Sequence, residues 1–551
     1  MAKTKRSAEI RTKTRTKPSP GARPDPQLPR AQPRSRLEKL CIAIQGKSPA
    51  ELFERAALAL KDGHFLEFRL DSLPKPALAL PGLARFLSEN TAVTAIATCR
   101  RKTLGGNFTG SLATELDILT KAAEAGCQII DLEIESAEAA KPVQLAKLRG
   151  LPLIASSPEA LLDGTERRPP ALLISFHDFS RTYHLDKVAD RIAAFEPDFV
   201  KIVSTARNLV DNLTVLRLLE DRSAALQIVA IAMGEEGIVS RILGPRAGGA
   251  FTFAAPSDGA ATAMGQATAR ILRDLYRVDQ LDAATRIFGV AGNPISHSLS
   301  PLMHNTAFRK EGINAVFLPL KAHSLDDLLT LVSELPLSGV AITMPFKCQV
   351  LPYLANMDAF TQQTGACNTL RTGVDGKLYG FNTDVSGIIR PLEKRIKLAG
   401  ARIAVLGAGG AARAAVFGLV HAGAEVFIVN RTHETAQALA RKAKARALRH
   451  EKFARESFDV LINTTPCGMR GVKPLLPINK DELNAKLVFD LVYNPIETPL
   501  IQLARARGIP TITGLEMFIQ QGVKQFEIWT GRPAPEAEMS RTVQHALEES
   551  K

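Results

Sequence analysis

No apolar run in this chain reaches the roughly 18 to 20 residues that a bilayer-spanning helix needs. The N-terminus shows no apolar stretch behind its charges, so neither a membrane anchor nor a secretory leader is expected. The six cysteines, Cys41, Cys99, Cys127, Cys348, Cys367 and Cys467, are scattered, and none forms a CxxC pair or neighbours a histidine at metal-ligand spacing. Reduced thiols and no metal site follow as expectations. Internal repeats and coiled-coil heptads are also missing. What is present is 551 residues, 45% hydrophobic and only 23% charged. That is enough for two or more domains with their own cores and too apolar for a disordered protein. A soluble cytoplasmic protein is the expectation; the oligomeric state is not legible.

The formal charge of +14 would point to nucleic acid if it were spread over the surface, but residues 1–36 hold eleven basic residues against Glu9 and Asp25. This segment has six prolines and almost no large apolar side chains, so it cannot bury enough surface to offset the entropy of ordering. It reads as a disordered basic tail that serves solubility or weak binding to acidic surfaces. Its few serines argue against a plastid transit peptide, and no nucleic-acid partner is expected.

After the tail, eight β-rich runs alternate with helical patterns: LCIAI (40–44), FLEFRLD (65–71), VTAIATCR (93–100), QIIDLEI (128–134), LLISFHD (172–178), DFVKIVS (198–204), LQIVAIAM (226–233) and AFTFAAP (250–256). Amphipathic stretches such as AELFERAALAL (50–60) lie between them, the βα alternation of a parallel sheet. Eight units over residues 37–276 predict a (β/α)8 barrel, the TIM-barrel arrangement; the apolar run 151–157 falls outside the count and reads as an irregular connection. A connector without glycine, 276–285, leads to a new α/β series at Arg286. A strand, glycine turn and Ala-rich helix follow at RIAVLGAGGAARAAV (402–416), the setting a Rossmann-type dinucleotide fingerprint requires. The expected division is a substrate lobe over 286–390, a dinucleotide lobe over 391–513, and C-terminal helices over 514–551 returning to the first lobe.

Barrel enzymes place their chemistry at the C-terminal ends of the strands. In FLEFRLD, Glu67, Arg69 and Asp71 stand at i, i+2 and i+4 and are expected on one strand face. A rim salt-bridge ladder would look the same. Arg100, His177 and Arg241 follow later strands, and Lys201 alternates with Phe199 and Val203, which places an amine among apolar side chains inside the barrel. Isolated there it would be costly. Desolvation and neighbouring arginines disfavour its charge and leave a neutral amine able to attack a ketone.

Here the sequence resembles the type I 3-dehydroquinate dehydratases, through EFRLD (67–71), ATCR (97–100), SFHDF (175–179), FVKIV (199–203), EEGIVSRILG (235–244) and ATAMGQ (261–266). The resemblance implies that Lys201 forms a Schiff base with the substrate ketone and that His177 is the general base and acid. It makes Glu67, Arg69, Arg100, Arg241, Thr262 and Gln266 the substrate ligands, with Arg241 suited to clamp a carboxylate. Two positions depart from the family pattern: Leu104 stands where many members have a glutamate, and Thr262 where serine is usual.

In the second half, GNPISHSLSPLMHN (292–305) offers Ser298 and Ser300; AITMPFK (341–347) ends in Lys347; GACNTL supplies Asn368 and GFNTDVSG supplies Asp384. A lysine and an aspartate brought together would let the carboxylate orient a proton donor toward a substrate oxygen. With GLEMFIQQG (514–522), these segments resemble the shikimate dehydrogenases over 287–533. That resemblance implies Lys347 and Asp384 as the catalytic pair, and Ser298, Ser300, Thr343, Asn368, Tyr493 and Gln521 as substrate ligands. The turn Gly407, Ala408, Gly409, Gly410, Ala411 suits a pyrophosphate at a helix N-terminus. No acidic residue ends the following strand. Asn430, Arg431 and Thr432 offer a cation and donors for a 2′-phosphate, favouring NADP(H) over NAD; many relatives carry a second arginine at the position of Thr435. Thr464, in NTTPCGM, and Gly514 complete the expected cofactor set.

Two successive steps are therefore expected: 3-dehydroquinate to 3-dehydroshikimate in the barrel, then NADPH-dependent reduction to shikimate. A quinate dehydrogenase using NAD in the second half, or a silent sensor on the same folds, are the alternatives.

Overall fold

The computed structural model describes residues 37–150, 169–296, 298–469, 472–473 and 476–549. The expected tail 1–36, the run 151–157 and His297 lie outside the described residues. Eight strands, β1 (Leu40–Ile44), β2 (Phe65–Arg69), β3 (Thr94–Thr98), β4 (Ile129–Glu133), β5 (Ala171–His177), β6 (Phe199–Thr205), β7 (Ile228–Met233) and β8 (Thr252–Ala254), form one sheet in the order β7-β6-β5-β4-β3-β2-β1-β8. Every ladder is parallel. The ring is nearly closed between β7 and β8, where the Ala250 N–H donates to the Ile228 carbonyl at 2.8 Å. The expected barrel is thus the fold observed.

Local sequence explains the outer ring. The first helix, Pro49–Ala59, starts where the Ser48 hydroxyl accepts from the Glu51 N–H and Pro49 fills the first turn; Leu52, Ala56 and Ala59 form its buried stripe. Register explains the interior. Thr98 is level with Asp131, Glu133 with Ser175, and Ser175 with Lys201, so polar side chains from four neighbouring strands stand in adjoining layers.

The second half contains two six-stranded sheets. The first comprises β9 (Arg286–Gly292), β10 (Ala315–Lys321), β11 (Leu337–Ile342), β12 (Asn356–Met357), β13 (Thr369–Thr372) and β14 (Leu378–Phe381), ordered β10-β9-β11-β13-β14-β12, with β13 antiparallel to both neighbours. The other comprises β15 (Arg402–Leu406), β16 (Glu425–Val429), β17 (Arg446–Ala447), β18 (Phe458–Asn463), β19 (Ala485–Asp490) and β20 (Thr511–Ile512). Its order, β17-β16-β15-β18-β19-β20, is parallel throughout. It reverses direction at β15/β18, the switch point where open sheets bind ligands. The helix Asp384–Glu393 runs unbroken through position 390, so the division expected at 390/391 falls inside a helix.

The helix Gly514–Thr530 packs back against β11 and β13, and it carries the chain's one tryptophan. Trp529 donates its indole N–H to the Leu370 carbonyl at 2.8 Å and tilts against Phe288 with ring centroids 5.5 Å apart. Gly339 on β11 makes this possible, since a Cβ there would lie 2.3 Å from the indole nitrogen. Among the described residues, no helix is long and apolar enough to cross a membrane.

Gly339→Ala should displace Trp529 and destabilise the second half by about 1–3 kcal/mol. Because tryptophan occurs once, the urea midpoint followed by its fluorescence reports on this half alone; an unchanged midpoint would show that the indole is not held by this contact.

Candidate active sites

Inside the barrel, Lys201 is 4% exposed. Its ammonium donates to Glu67 Oε1 at 3.1 Å and to Asp131 Oδ2 at 3.0 Å, and lies 4.0 Å from the centre of the Phe253 ring. This corrects the expectation of an amine isolated among apolar groups and arginines: two carboxylates touch it. Asp131 and Glu133 were not among the residues expected at the site. The signal for them was the same alternation that exposed Glu67 and Arg69, since Asp131 and Glu133 stand at i and i+2 in the apolar run QIIDLEI.

Around this pair the polar groups are mutually satisfied. Thr98 Oγ1 donates to Glu67 at 2.8 Å. Arg100 Nε lies 3.0 Å from Glu133, and its Nη2 lies 3.4 Å from Asp131. Ser175 Oγ is within hydrogen-bond distance of Asp131 and Glu133. Burial works against charge on Asp131, yet Lys201, Arg100 and the Ser175 hydroxyl hold its carboxyl well below the usual carboxylate range. Leu104, where many members have a glutamate, ends a short turn, Lys102–Leu104, after β3.

His177 Nδ1 lies 3.1 Å from the Glu133 carboxylate, which fixes the ring and leaves Nε2 as the free nitrogen. Burial and then Arg100 hold its imidazole below the ordinary histidine value, partly opposed by Glu133. The lowering favours the neutral ring.

The structure separates Asp71 from the face on which the sequence reading placed it. The strand ends at Arg69, and Asp71 sits in the following turn. There it pairs with Arg69 at 2.8 Å and accepts from the Asn107 N–H, so its hydrogen bonds serve the rim. Arg241 is 2% exposed. One guanidinium nitrogen donates to the Phe253 carbonyl at 2.8 Å, its Nε has no partner among the described residues, and burial lowers its pKa to about 10. Lys201 and Arg241 therefore meet the same residue of β8, one at the ring and one at the backbone. Thr262 and Gln266 bond each other, Gln266 Oε1 accepting from the Thr262 N–H at 2.7 Å.

In the second half, Lys347 donates to Asp384 Oδ2 at 2.6 Å, and Asn368 donates to Asp384 Oδ1 at 2.8 Å. The Cys367 N–H donates to the Lys347 carbonyl, binding the loop of Lys347 to that of Asn368. Thr343 donates its N–H to the Ala291 carbonyl at 2.9 Å, which brings it beside the segment that carries Ser298 and Ser300. The Ser300 N–H donates to Ser298 Oγ at 3.3 Å. Gln521 joins from the C-terminal helix: a Cβ on Gly387, one turn beyond Asp384, would lie 3.1 Å from its Cβ. Tyr493 stacks on Phe518 at 4.9 Å.

The cofactor segments are tested by space and donors. Gly407, at φ +111°, abuts Thr464, whose hydroxyl would sit 2.6 Å from an added Cβ. At Gly409 and Gly410 a Cβ would meet nothing within 4 Å, so the turn before the helix Gly410–His421 fronts open space, flanked by the half-buried Ala408 and Ala411. Arg431 and Thr432 are exposed beyond β16. Arg431 makes no ion pair among the described residues, and Asn430 donates to the Thr432 carbonyl at 2.9 Å. These residues fit a dinucleotide with a 2′-phosphate. Gly514 serves packing as well, since a Cβ there would lie 2.4 Å from the Val492 backbone.

A barrel holding a buried lysine and histidine, joined to a two-sheet unit with a dinucleotide turn, defines a lyase fused to a nicotinamide-dependent dehydrogenase. Residues 40–283 match the type I 3-dehydroquinase family and 290–370 the shikimate dehydrogenase substrate binding domain. Residues 391–468 match the shikimate/quinate 5-dehydrogenase family, and 514–544 the shikimate 5′-dehydrogenase C-terminal domain. A chloroplastic bifunctional 3-dehydroquinate dehydratase/shikimate dehydrogenase of Arabidopsis thaliana is 34% identical over 90% of this chain and 82% of its own length. An NADP(+) shikimate dehydrogenase of Maridesulfovibrio salexigens is 39% identical over 45% of this chain and 92% of its own length. A crystal structure of Thermus thermophilus shikimate 5-dehydrogenase with NADP(H) and shikimate is 35% identical, covering 47% of this chain and 99% of its own at a TM-score of 0.45. The chain belongs to the bifunctional 3-dehydroquinate dehydratase/shikimate dehydrogenase family.

The His177 ring should titrate below its ordinary value near 6.5 when followed by NMR. Glu133→Gln should move the titration lower still, because Glu133 is the group that raises it. An upward move on that substitution would contradict the electrostatics described here.

Proposed function

We propose that the two halves act in succession on one carbon skeleton, the barrel dehydrating 3-dehydroquinate and the second half reducing the resulting 3-dehydroshikimate to shikimate with NADPH. These are consecutive steps of the shikimate pathway. The observation that carries the reading is the buried Lys201 on the strand next to that of His177, with Arg241 donating to the Phe253 carbonyl and paired with no carboxylate among the described residues. A buried guanidinium with a nitrogen left without an acceptor calls for one, and the substrate carboxylate supplies it.

The attacking form of Lys201 is the neutral amine, so a proton leaves it first; Glu67 and Asp131 are the acceptors in contact. The nitrogen bonds to the ketone carbon, and water departs as the imine forms. Neutral His177 takes a proton from the carbon next to the imine through Nε2. The electron pair left behind expels the hydroxyl, which accepts a proton from His177 and leaves as water. Hydrolysis of the imine returns Lys201 and releases the enone. Arg69, Arg100, Thr262 and Gln266 complete the proposed substrate set.

In the second half, Asp384 holds Lys347 toward the substrate, and Lys347 gives a proton to the carbonyl oxygen as it is reduced. Ser298, Ser300, Thr343, Asn368, Tyr493 and Gln521 are the proposed ligands. NADPH supplies the hydride. Gly407, Ala408, Gly409, Gly410, Ala411 and Gly514 bring backbone to its side of the sheet, Thr464 borders the same edge, and Asn430, Arg431 and Thr432 receive its 2′-phosphate. A division into the barrel over 37–276, a substrate lobe from 286, a dinucleotide lobe ending at 513 and C-terminal helices over 514–551, and a cytoplasmic location, belong to the same proposal.

Incubation with 3-dehydroquinate and NADPH should lower nicotinamide absorbance, and borohydride with 3-dehydroquinate alone should inactivate dehydration by fixing mass on Lys201. Lys201→Ala should abolish dehydration and leave reduction of supplied 3-dehydroshikimate intact. Lys347→Ala should do the reverse, lowering reduction by about 10²- to 10⁴-fold. Dehydration that survives Lys201→Ala would refute the imine.

The acid limb of kcat/KM for dehydration should lie below pH 6.5, because the base form of His177 persists to lower pH than in free histidine. A limb above that value would assign the base elsewhere.

A further inference from the structure

The loop 234–237 follows β7 and leads into the helix Ile238–Leu243, which carries Arg241. On its barrel side it touches the segment of Thr262 and Gln266. The Gly234 N–H donates to the Met264 carbonyl at 3.1 Å, and Gly265, at φ +67°, approaches so closely that a Cβ would lie 2.2 Å from the Gly234 carbonyl oxygen. Asn212 fixes the loop from beneath, donating to the Glu236 carbonyl at 2.8 Å and accepting from the Ser240 N–H at 2.9 Å. One short loop thus braces two of the proposed substrate-binding elements of the barrel.

Its two acidic side chains engage the second half. Lys321, the last residue of β10, lies 2.5 Å from Glu235 and 3.0 Å from Glu236. His323 Nε2 lies 3.0 Å from the same Glu236 oxygen, and its Nδ1 lies 3.3 Å from Asn293 Nδ2. The helix bearing Arg241 packs against β10, and Ile242, Val316 and Leu318 share one apolar cluster. Adjacent carboxylates repel, and without a cation between them the loop would be free to relax about Gly234, at φ +95°.

We propose that Lys321, on the dehydrogenase half, is a positioning residue for the dehydration reaction. By tethering Glu235 and Glu236 it holds the loop 234–237, and through it Arg241 and the Thr262–Gln266 segment, in the arrangement that binds substrate. The inference rests on the reading of the barrel as the dehydratase. It gives the fusion a physical consequence: the second enzyme completes the substrate-binding frame of the first.

The test is steady-state kinetics on the full chain, with dehydration of 3-dehydroquinate and reduction of supplied 3-dehydroshikimate measured separately. Lys321→Met should raise KM for 3-dehydroquinate about three- to tenfold, the range of couplings carried through packed elements, with kcat within about twofold. Reduction should be unaffected, and Lys321→Arg should restore KM. Glu236→Gln should raise KM similarly, and the double variant no further. If Lys321→Met folds poorly, Glu236→Gln carries the same expectation. Wild-type KM in both single variants would overturn the inference, as would parallel losses in both reactions with a lowered unfolding midpoint, which mark a purely structural contact. A wild-type chain that cannot dehydrate 3-dehydroquinate would overturn the reading of the barrel itself.

Discussion

The barrel half depends on one buried arrangement of charge. Glu67, Asp131 and Glu133 are inside, with Lys201 and Arg100 between them and Thr98 and Ser175 bridging. Removing any one ion from water is expensive, and a buried pair is tolerated only where geometry and further hydrogen bonds compensate. Here each carboxylate has a cation, and each cation pairs with two carboxylates. Such a group is placed by register: residues of alternate parity on neighbouring strands come level inside the ring. A slip of one residue on β4 would turn Asp131 and Glu133 outward, leaving Arg100 unmatched and Lys201 with Glu67 alone.

Function follows from how this group is left incomplete. Arg241 stands outside the paired set, with a backbone carbonyl on one side and an unpartnered Nε. His177 donates one hydrogen bond through Nδ1 to Glu133 and keeps its other nitrogen free. The second half repeats the principle with fewer parts. Asp384 accepts from Lys347 with one oxygen and from Asn368 with the other, so the lysine is oriented while its remaining hydrogens stay available. Asp384 begins a helix that packs against the C-terminal helix of Gln521, which is how residues far apart in sequence come to share one cleft.

The eight barrel strands were legible because each is a short apolar run with turn residues on both sides, and parallel strands buried on both faces write that pattern strongly. Lys201 and His177 could be read as inward or rim residues from alternation alone. Alternation equally contains Asp131 and Glu133, but an acidic residue in an apolar strand declares no partner until its neighbours are known. Asp71 was misplaced for the opposite reason: the period-2 rule was carried two residues past Arg69, beyond the point where the backbone bends into a turn.

The sequence by itself determined the element types, the barrel, the dinucleotide turn and the family, since these depend on local periodicity, glycine placement and ordered motifs along the chain. Only the tertiary structure decided which charges meet. It set two carboxylates against Lys201, left Arg241 without one among the described residues, paired Arg100 with Asp131 and Glu133, and joined Lys321 to Glu235 and Glu236. Electrostatic energy depends on distance and burial through space, and sequence separation carries neither.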